Sequence, residues 1–285
     1  MSTAPKIIKI DVDAVLRQRL PRYYRFIPRW LISRLKRFVC QDEMNLMLEQ
    51  NAGRRGADFC RGVIDHLNIS YRVDGQENLP ANPRVIIVCN HPLGGLDGMI
   101  LIDYVTRHYG RPVRFLVNDL LMAIHPLDEV FLPVNKHGRQ SRQAADDIDR
   151  AMESDAPILI FPAGLVSRKG KNGEVADLQW KKMFVNRAIK HRRDVIPTYF
   201  CGKNSNFFYN FAKLRTRLGL KFNIEMIRLP REVFLCKGKS FRLSFGQPIP
   251  WQSLRGGQDA ESQSLEIRRM AYSLANNEPT DNSPC

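Results

Sequence analysis

The sequence of 285 residues lacks the marks of several classes of protein. No apolar run approaches the roughly 20 residues that a membrane-spanning helix needs. The six cysteines are scattered, without a Cys-x-x-Cys pair or a His/Cys cluster, so we expect no metal site. No secretory signal opens the sequence, and we therefore expect reduced thiols in the cytosol.

Acidic side chains are missing from one whole segment, residues 14–41. Its basic residues are Arg17, Arg19, Arg22, Arg25, Arg29, Arg34, Lys36 and Arg37. After Pro28, the apolar residues Trp30, Leu31, Leu35 and Phe38 recur at helical spacing. A cationic helix with Trp and Phe on its apolar face is typical of a bilayer interface. A helix packed on its own domain, with a solvated basic face, is the alternative.

The net charge of +15 indicates an anionic partner, which is nucleic acid, a membrane surface or an acidic protein. The basic residues concentrate on an amphipathic, aromatic segment, and no nucleic-acid-binding motif appears. These observations favour a membrane surface over nucleic acid, while the alternative of a solvated basic face stays open on the pattern alone. A basic nucleic-acid-binding protein remains the alternative from another functional class.

Short apolar segments alternate with helical patterns along the middle of the chain. The predicted strands are residues 69–73, 84–89, 113–117, 130–134, 157–161, 194–200 and 241–246. This order predicts an α/β fold, with a mainly parallel sheet flanked by helices. We divide the chain into a basic helical region (1–68), an α/β domain (69–277) and a disordered tail (278–285).

A histidine and an aspartate stand at the junction of a strand and a helix. His91 follows the apolar strand, and Asp97 stands where the next helix should begin. Pro92 and two glycines between them allow the chain to fold back, so the carboxylate can reach the imidazole. Such a pair activates a hydroxyl as a general base. The alternative is a His that caps a strand and an Asp that caps a helix.

No Gly-x-Ser-x-Gly nucleophile motif is present. The nucleophile is therefore expected to come from the substrate, in a direct acyl transfer. A hydrolase that uses the same pair with a bound water is a further alternative.

Four ordered blocks resemble those of the PlsC-type glycerolipid acyltransferases. They are Asn90-His91 with Asp97, then 130–134, then Phe161-Pro162-Ala163-Gly164, and then Val195-Ile196-Pro197. Each lies at the end of a predicted strand, and together they span roughly residues 79–202. The His-Pro-x-Gly-x-x-Asp-Gly form looks like the hemolysin-like bacterial branch, which includes O-acyltransferases that complete aminolipids.

The resemblance implies a mechanism and a location. His91 would be the general base on the acceptor hydroxyl, and Asp97 would orient it. The acyl donor would be a thioester on acyl carrier protein or coenzyme A, with no further cofactor. The α/β domain would be preceded by an N-terminal amphipathic helical segment that seats the protein on a membrane. We therefore expect an anionic membrane surface as the partner of residues 14–41, and no nucleic acid. The enzyme would be peripheral, on the cytoplasmic face of the inner membrane.

Three departures from the family pattern concern the acceptor. Five residues separate His91 from Asp97 where four are common, Asn135-Lys136-His137-Gly138 stands where an Arg is common, and Ala163 replaces a Glu. In the family, the Arg and the Glu belong to the side where glycerol phosphate binds. We therefore expect a lyso-aminolipid of the ornithine or glycine lipid type, whose carboxylate needs a cation but no phosphate site. A 1-acylglycerol-3-phosphate acyltransferase of phospholipid synthesis is the alternative.

The remaining site predictions concern substrate binding. The predicted substrate-binding residues are Asn90, Gly94, Gly95, Lys136, Phe161, Pro162, Gly164, Ser167 and Arg168. Backbone N–H groups near Gly94-Gly95 or Gly164 are expected to stabilise the oxyanion. Lys136, Arg139 or Arg168 is expected to supply a cation for the acceptor. A basic cluster within residues 181–193 is either a docking face for acyl carrier protein or lipid, or a solvated surface.

Overall fold

The computed structural model describes residues 9–118, 121–122, 124–134, 139–170, 172–220 and 223–276. The first helices are α1 (Val12–Arg19), α2 (Arg29–Phe38), α3 (Gln41–Gln50) and α4 (Gly56–His66). Helix α3 ends before Arg54, and α4 begins after it. None of the helices in the described ranges is long and apolar enough to cross a membrane.

Most strands of the chain form one mainly parallel sheet, as predicted. The strands are β1 (Ser70–Asp74), β2 (Val85–Cys89), β3 (Arg114–Val117), β4 (Phe131–Pro133), β5 (Ile158–Ile160), β6 (Arg168–Lys169), β7 (Val175–Ala176), β8 (Asp194–Cys201) and β9 (Ser240–Phe245). In the described part of the chain, seven strands are ordered β1-β9-β8-β2-β5-β3-β4, and only the β8–β9 pair is antiparallel. The carboxyl ends of β8, β2 and β5 therefore meet at one edge of the sheet.

Helices cover both faces of this sheet. They are α5 (Leu96–Tyr109), α6 (Arg139–Glu153), α7 (Met183–His191), α8 (Asn206–Arg217), α9 (Leu229–Phe234) and α10 (Ala260–Ser273). The short strands β6 and β7 form a separate antiparallel hairpin between β5 and α7.

Strand β2 lies in the middle of the sheet and is buried on both faces. Val85 and Ile87 pack in a core with α4 and α5, whereas Ile86 and Val88 pack in a second core with α6, α7 and α10. Every residue of β2 is buried, as expected for a continuous apolar run in the middle of a parallel sheet. The loop that follows β2 is thus anchored at the centre of the fold.

Helix α4 belongs to the same core as the sheet. Its Cys60, Val63 and Ile64 are fully buried and share one cluster with α5 and with β2. Helix α2, by contrast, buries only Ile32, and its Trp30 and Leu31 are exposed. The N-terminal helices therefore differ in how closely they pack on the α/β core.

Candidate active site

The site begins where β2 ends, at Asn90. The Asn90 side chain is buried and pairs with the backbone of β8 through both of its polar atoms. Its Nδ2 donates to the carbonyl of Phe200 at 2.9 Å, and its Oδ1 accepts from the Phe200 N–H at 2.6 Å. Asn90 thus continues the pairing of β2 and β8 beyond the strand and fixes the position from which His91 projects.

His91 and Asp97 contact each other directly. Nδ1 of His91 lies 3.0 Å from Oδ2 of Asp97. The carboxylate is fully buried, whereas the His91 side chain is 15% exposed. An ionised Asp at Nδ1 holds the proton on that nitrogen, so Nε2 is left to accept a proton from a substrate.

Asp97 is held by the loop that it closes. Its Oδ2 accepts from the N–H of Leu93 at 2.9 Å, and its Oδ1 accepts from the N–H groups of Gly95 at 3.0 Å and Gly98 at 2.9 Å. Burial alone would raise the pKa of Asp97, but His91 and the N–H donors of Leu93 and Gly98 lower it below its usual value. Asp97 also lies in the first turn of α5, where a negative charge is stabilised.

The third sequence block lies against the histidine. The ring of Phe161 stacks on the imidazole of His91, with centroids 3.9 Å apart and an angle of 22° between the planes. The carbonyl of buried Pro162 accepts from the N–H of Lys181 at 3.1 Å. Gly164 has a φ of +66°, and a Cβ there would lie 3.0 Å from the ammonium of Lys181. The Phe161 ring therefore covers one face of the His91 imidazole and limits its rotation.

Gly94 is needed for the shape of the loop after β2, residues 90–95, which is called the catalytic loop below. Its φ is +80°, and a Cβ there would lie 2.7 Å from Cγ2 of Val166 and 2.8 Å from Cδ2 of Leu229. The loop after β2 is thus packed directly against the segment after β5 and against α9.

The N–H groups predicted as oxyanion donors already have acceptors in the structure. Those of Gly94 and Gly95 lie 3.4 Å and 3.0 Å from the Asp97 carboxylate, and that of Gly164 donates to the carbonyl of Phe161 at 2.9 Å. These hydrogen bonds hold the two loops in shape. Lys136, the other predicted contact to substrate, lies outside the described residues.

Ser167 and Arg168 are tied to internal partners. The Ser167 N–H donates to the carbonyl of His91 at 2.8 Å, and its side chain is buried. Nη2 of Arg168 donates to Glu225 at 2.9 Å, and its guanidinium carbon lies 5.6 Å from the centre of the Phe208 ring. Glu225 is fully buried and also pairs with Arg215 at 2.9 Å. Both residues thus support the site from within the protein.

Asp177 is a site residue that the sequence analysis missed. It accepts from the N–H of His91 at 3.1 Å, from the hydroxyl of Ser167 at 2.5 Å and from the indole of Trp180 at 2.9 Å. Burial raises the pKa of Asp177, and the Ser167 and Trp180 hydrogen bonds offset part of that rise. The backbone N–H of Asp177 lies 2.7 Å from the hydroxyl of Tyr272 on α10. Asp177 thus joins the loops after β2 and β5 to the C-terminal helix.

No group of three His, Cys, Asp or Glu side chains that could hold a metal ion occurs in the ranges that the structure describes. The cysteines Cys40, Cys60, Cys89 and Cys236 are free and buried. The chemistry available at the edge of the sheet is that of an imidazole backed by a buried carboxylate.

Comparisons with known proteins identify the family of the chain. The family model described as "Acyltransferase" matches residues 14–280. A lyso-glycine lipid O-acyltransferase of Bacteroides thetaiotaomicron is 40% identical over 272 residues, which are 95% of this chain and 100% of the relative. One of the same name from Phocaeicola vulgatus is 41% identical and covers 95% of this chain and 97% of the relative.

Among solved structures, the 1-acyl-sn-glycerophosphate acyltransferase PlsC of Thermotoga maritima aligns with a TM-score of 0.48 and 15% identity, over 94% of this chain and 100% of that chain. The family predicted from the sequence blocks is confirmed by the family model and by the two relatives. The chain belongs to the acyltransferase family, and it is an O-acyltransferase enzyme.

Proposed function

We propose that the chain transfers a fatty acyl group from a thioester to the hydroxyl of a lyso-aminolipid of the glycine lipid type. The observation that carries the chemistry is the contact of 3.0 Å between His91 Nδ1 and the buried Asp97 carboxylate. The names of the two relatives, each about 40% identical, support the acceptor. Ala163, where glycerol phosphate enzymes commonly have a Glu, is buried and brings no carboxylate to the site.

In the proposed reaction, Nε2 of His91 takes the proton of the acceptor hydroxyl as its oxygen attacks the thioester carbon. A C–O bond forms, the C–S bond breaks, and the thiolate leaves with the proton from the imidazolium. Asp97 stabilises the imidazolium during this step. The thiol belongs to acyl carrier protein or coenzyme A, and either co-substrate is compatible with this chemistry.

The acceptor is tested by supplying the purified chain with an acyl thioester and either lyso-glycine lipid or 1-acylglycerol-3-phosphate. We expect mass spectrometry to detect the acylated glycine lipid as the main product. Robust transfer to 1-acylglycerol-3-phosphate with none to lyso-glycine lipid would contradict the proposed acceptor and favour the phospholipid alternative.

We further propose that the enzyme works at an anionic membrane surface, the cytoplasmic face of the inner membrane. The exposed aromatic residues Tyr23, Phe26 and Trp30 are 67%, 69% and 64% exposed, and they lie among the arginines of α2 and its preceding turn. Amphipathic helices with this composition bind at the headgroup boundary. An exposed patch of this kind marks an interaction surface.

A second helix adds to this surface. On α8, Phe207 and Leu214 are 51% and 52% exposed and lie on the same face of the helix, whereas the neighbouring Phe208 is buried. The guanidinium carbon of Arg228 lies 4.0 Å from the Phe207 ring and 5.5 Å from the Phe38 ring of α2. Phe38 of α2 and Phe207 of α8 therefore both lie close to Arg228, the residue before α9.

Vesicle flotation tests the membrane proposal. We expect the double variant Phe26→Ser with Trp30→Ser to float poorly with vesicles of anionic phospholipid, because it removes two of the three exposed aromatic side chains of this surface. The matched control is Met270→Ser, which removes a 50% exposed apolar side chain from α10. Equal flotation of both variants would argue against this surface.

A further inference from the structure

The β6–β7 hairpin has its open end at the catalytic histidine. In the register of the hairpin, Arg168 pairs with Ala176 in antiparallel fashion. The same register places Ser167 and Asp177 opposite each other, one position beyond the last pair of the strands. The Ser167 hydroxyl donates to Oδ1 of Asp177 at 2.5 Å, so the two side chains close the open end of the hairpin.

These two residues hold the backbone of His91 on both sides. The His91 N–H donates to Oδ1 of Asp177 at 3.1 Å, and the His91 carbonyl accepts from the Ser167 N–H at 2.8 Å. Asp97 holds the imidazole through Nδ1 at 3.0 Å. The direction in which Nε2 points therefore depends on two supports, one for the ring and one for the backbone from which the ring projects.

Asp177 is a buried carboxylate without a cationic partner. The residue is 6% exposed, and in the ranges that the structure describes its carboxylate pairs with no Lys or Arg. Its Oδ2 accepts from the indole of Trp180 at 2.9 Å. A buried carboxylate without a cation is costly, and one that contacts the catalytic base indicates a role in the reaction.

The C-terminal helix α10 holds Asp177 in turn. The Tyr272 hydroxyl accepts from the Asp177 N–H at 2.7 Å, and Nη2 of Arg268 donates to the Asp177 carbonyl at 3.0 Å. The guanidinium carbon of Arg268 lies 4.5 Å from the centre of the Tyr272 ring, so the two side chains of α10 support each other. The backbone of Asp177 is therefore fixed on both sides, as that of His91 is.

We propose that Asp177 and Tyr272 are positioning residues for His91, in which α10 fixes Asp177 and Asp177 fixes the backbone that carries the imidazole. The proposal rests on the proposed function, in which His91 is the general base. A misplacement of about 1 Å caused by a change far from the chemistry can cost about 10²-fold in rate. Loss of the Tyr272 hydroxyl should therefore slow acyl transfer, although its effect on His91 passes through Asp177.

Tyr272→Phe tests this by removing the acceptor of the Asp177 N–H while keeping the ring against Arg268. With release of free thiol as the assay, we expect kcat to fall about tenfold, and KM for the thioester and for the lysolipid to stay within about twofold of wild type. The matched control is Tyr199→Phe. The Tyr199 ring lies 5.6 Å from that of Tyr272, and its hydroxyl has no hydrogen-bond partner among the described residues, so kcat should not change.

A purely structural role would lower stability without moving the imidazole, and proton NMR distinguishes the two. The Nδ1 proton that His91 shares with Asp97 should give a downfield resonance, assigned by its absence from His91→Gln. We expect this resonance to shift in Tyr272→Phe and to stay in place in Tyr199→Phe. A folded Tyr272→Phe enzyme with the wild-type resonance or the wild-type kcat would overturn the proposal. An equal loss of kcat in Tyr199→Phe would overturn it as well.

The two proposals fail differently, because the resonance is observed without turnover. If His91→Gln retains transfer while the resonance still shifts in Tyr272→Phe, the proposed mechanism is wrong and the positioning of His91 from α10 is supported. If His91→Gln is inactive while Tyr272→Phe keeps the wild-type kcat and resonance, only the positioning proposal is wrong.

Discussion

Replacement of Asp97 by Asn keeps the size of the side chain but changes the hydrogen bonds that it can form. The carboxylate accepts from Nδ1 of His91 at 3.0 Å and from backbone N–H groups, including Leu93 at 2.9 Å and Gly98 at 2.9 Å. An amide keeps one acceptor oxygen and turns an NH₂ group toward the other donors. If the oxygen stays with Gly95 and Gly98 at the start of α5, the NH₂ group faces Leu93 and His91.

Two consequences follow from the Asp97→Asn change. At least one buried donor loses its acceptor, which costs about 1–3 kcal/mol of unfolding free energy. The imidazole of His91 is then driven to the tautomer with its proton on Nε2, which cannot accept from the acceptor hydroxyl. In a Ser-His-Asp triad the wrong tautomer lowers kcat about 10⁴-fold, and we expect a loss of that order here.

The control for Asp97 lies on the same helix. Asp103 is also fully buried and accepts from Tyr71 at 2.6 Å and from Arg107 at 2.8 Å, besides its pair with Arg61. Asp103→Asn should cost about 3–5 kcal/mol, since it breaks a buried charged network, but kcat per folded molecule should not change. Release of free thiol from the acyl thioester gives kcat, and urea unfolding gives stability. An Asp97→Asn enzyme that is folded and retains most of its kcat would refute the role of the pair.

Three further predictions follow from the contacts of the site. Asp177→Asn should lower kcat more than it raises KM. Because burial raises the pKa of Asp177, the folded wild type binds a proton more tightly than the unfolded chain does. The stability of the wild type relative to the variant should therefore fall as the pH rises from 3.8 through that raised pKa, which thermal unfolding would measure. Gly94→Ala should destabilise the fold by about 1–3 kcal/mol and reduce activity, whereas Gly95→Ala, at a φ of −176°, should be far milder in the same unfolding assay. Arg168→Met should destabilise the protein by about 1–3 kcal/mol, since Glu225 loses one hydrogen bond but keeps its pair with Arg215. The acceptor KM of this variant should stay near wild type, and a large rise in that KM would make Arg168 a contact of the head group.

The sequence was informative where the signal is local. The apolar run before Asn90 predicts a strand buried on both faces, and β2 is such a strand. Pro92 and the glycines between His91 and Asp97 predict a loop that folds back, and the two side chains do meet. These predictions succeeded because the interacting residues are close in the chain or lie on adjacent parallel strands.

Contacts between distant segments were not predictable in this way. Asp177 contacts the backbone of His91 across 86 positions of sequence, and no periodic pattern or motif surrounds it. Tyr272 is likewise an ordinary residue of a C-terminal helix until its contact with the Asp177 N–H is known. Their significance depends on tertiary structure, because it arises from what surrounds each polar group.

The basic cluster at residues 181–193 shows that charge alone does not predict what a basic side chain contacts. Arg193 is fully buried, and its guanidinium donates to the carbonyls of Met152 at 2.8 Å and Ala156 at 2.9 Å. Arg187 and Lys190 both pair with Asp149 on α6. A count of basic residues cannot distinguish a docking face from side chains that satisfy the ends of neighbouring elements.

The general-base role of His91 is tested most directly by one substitution in the complete reaction. The purified His91→Gln variant would be compared with wild type for formation of acylated glycine lipid by mass spectrometry, with thermal unfolding of both proteins measured alongside. We expect product from the wild type, no product above the uncatalysed background from the variant, and similar unfolding temperatures. Product formation by a folded His91→Gln enzyme at the wild-type rate would contradict a mechanism based on this histidine.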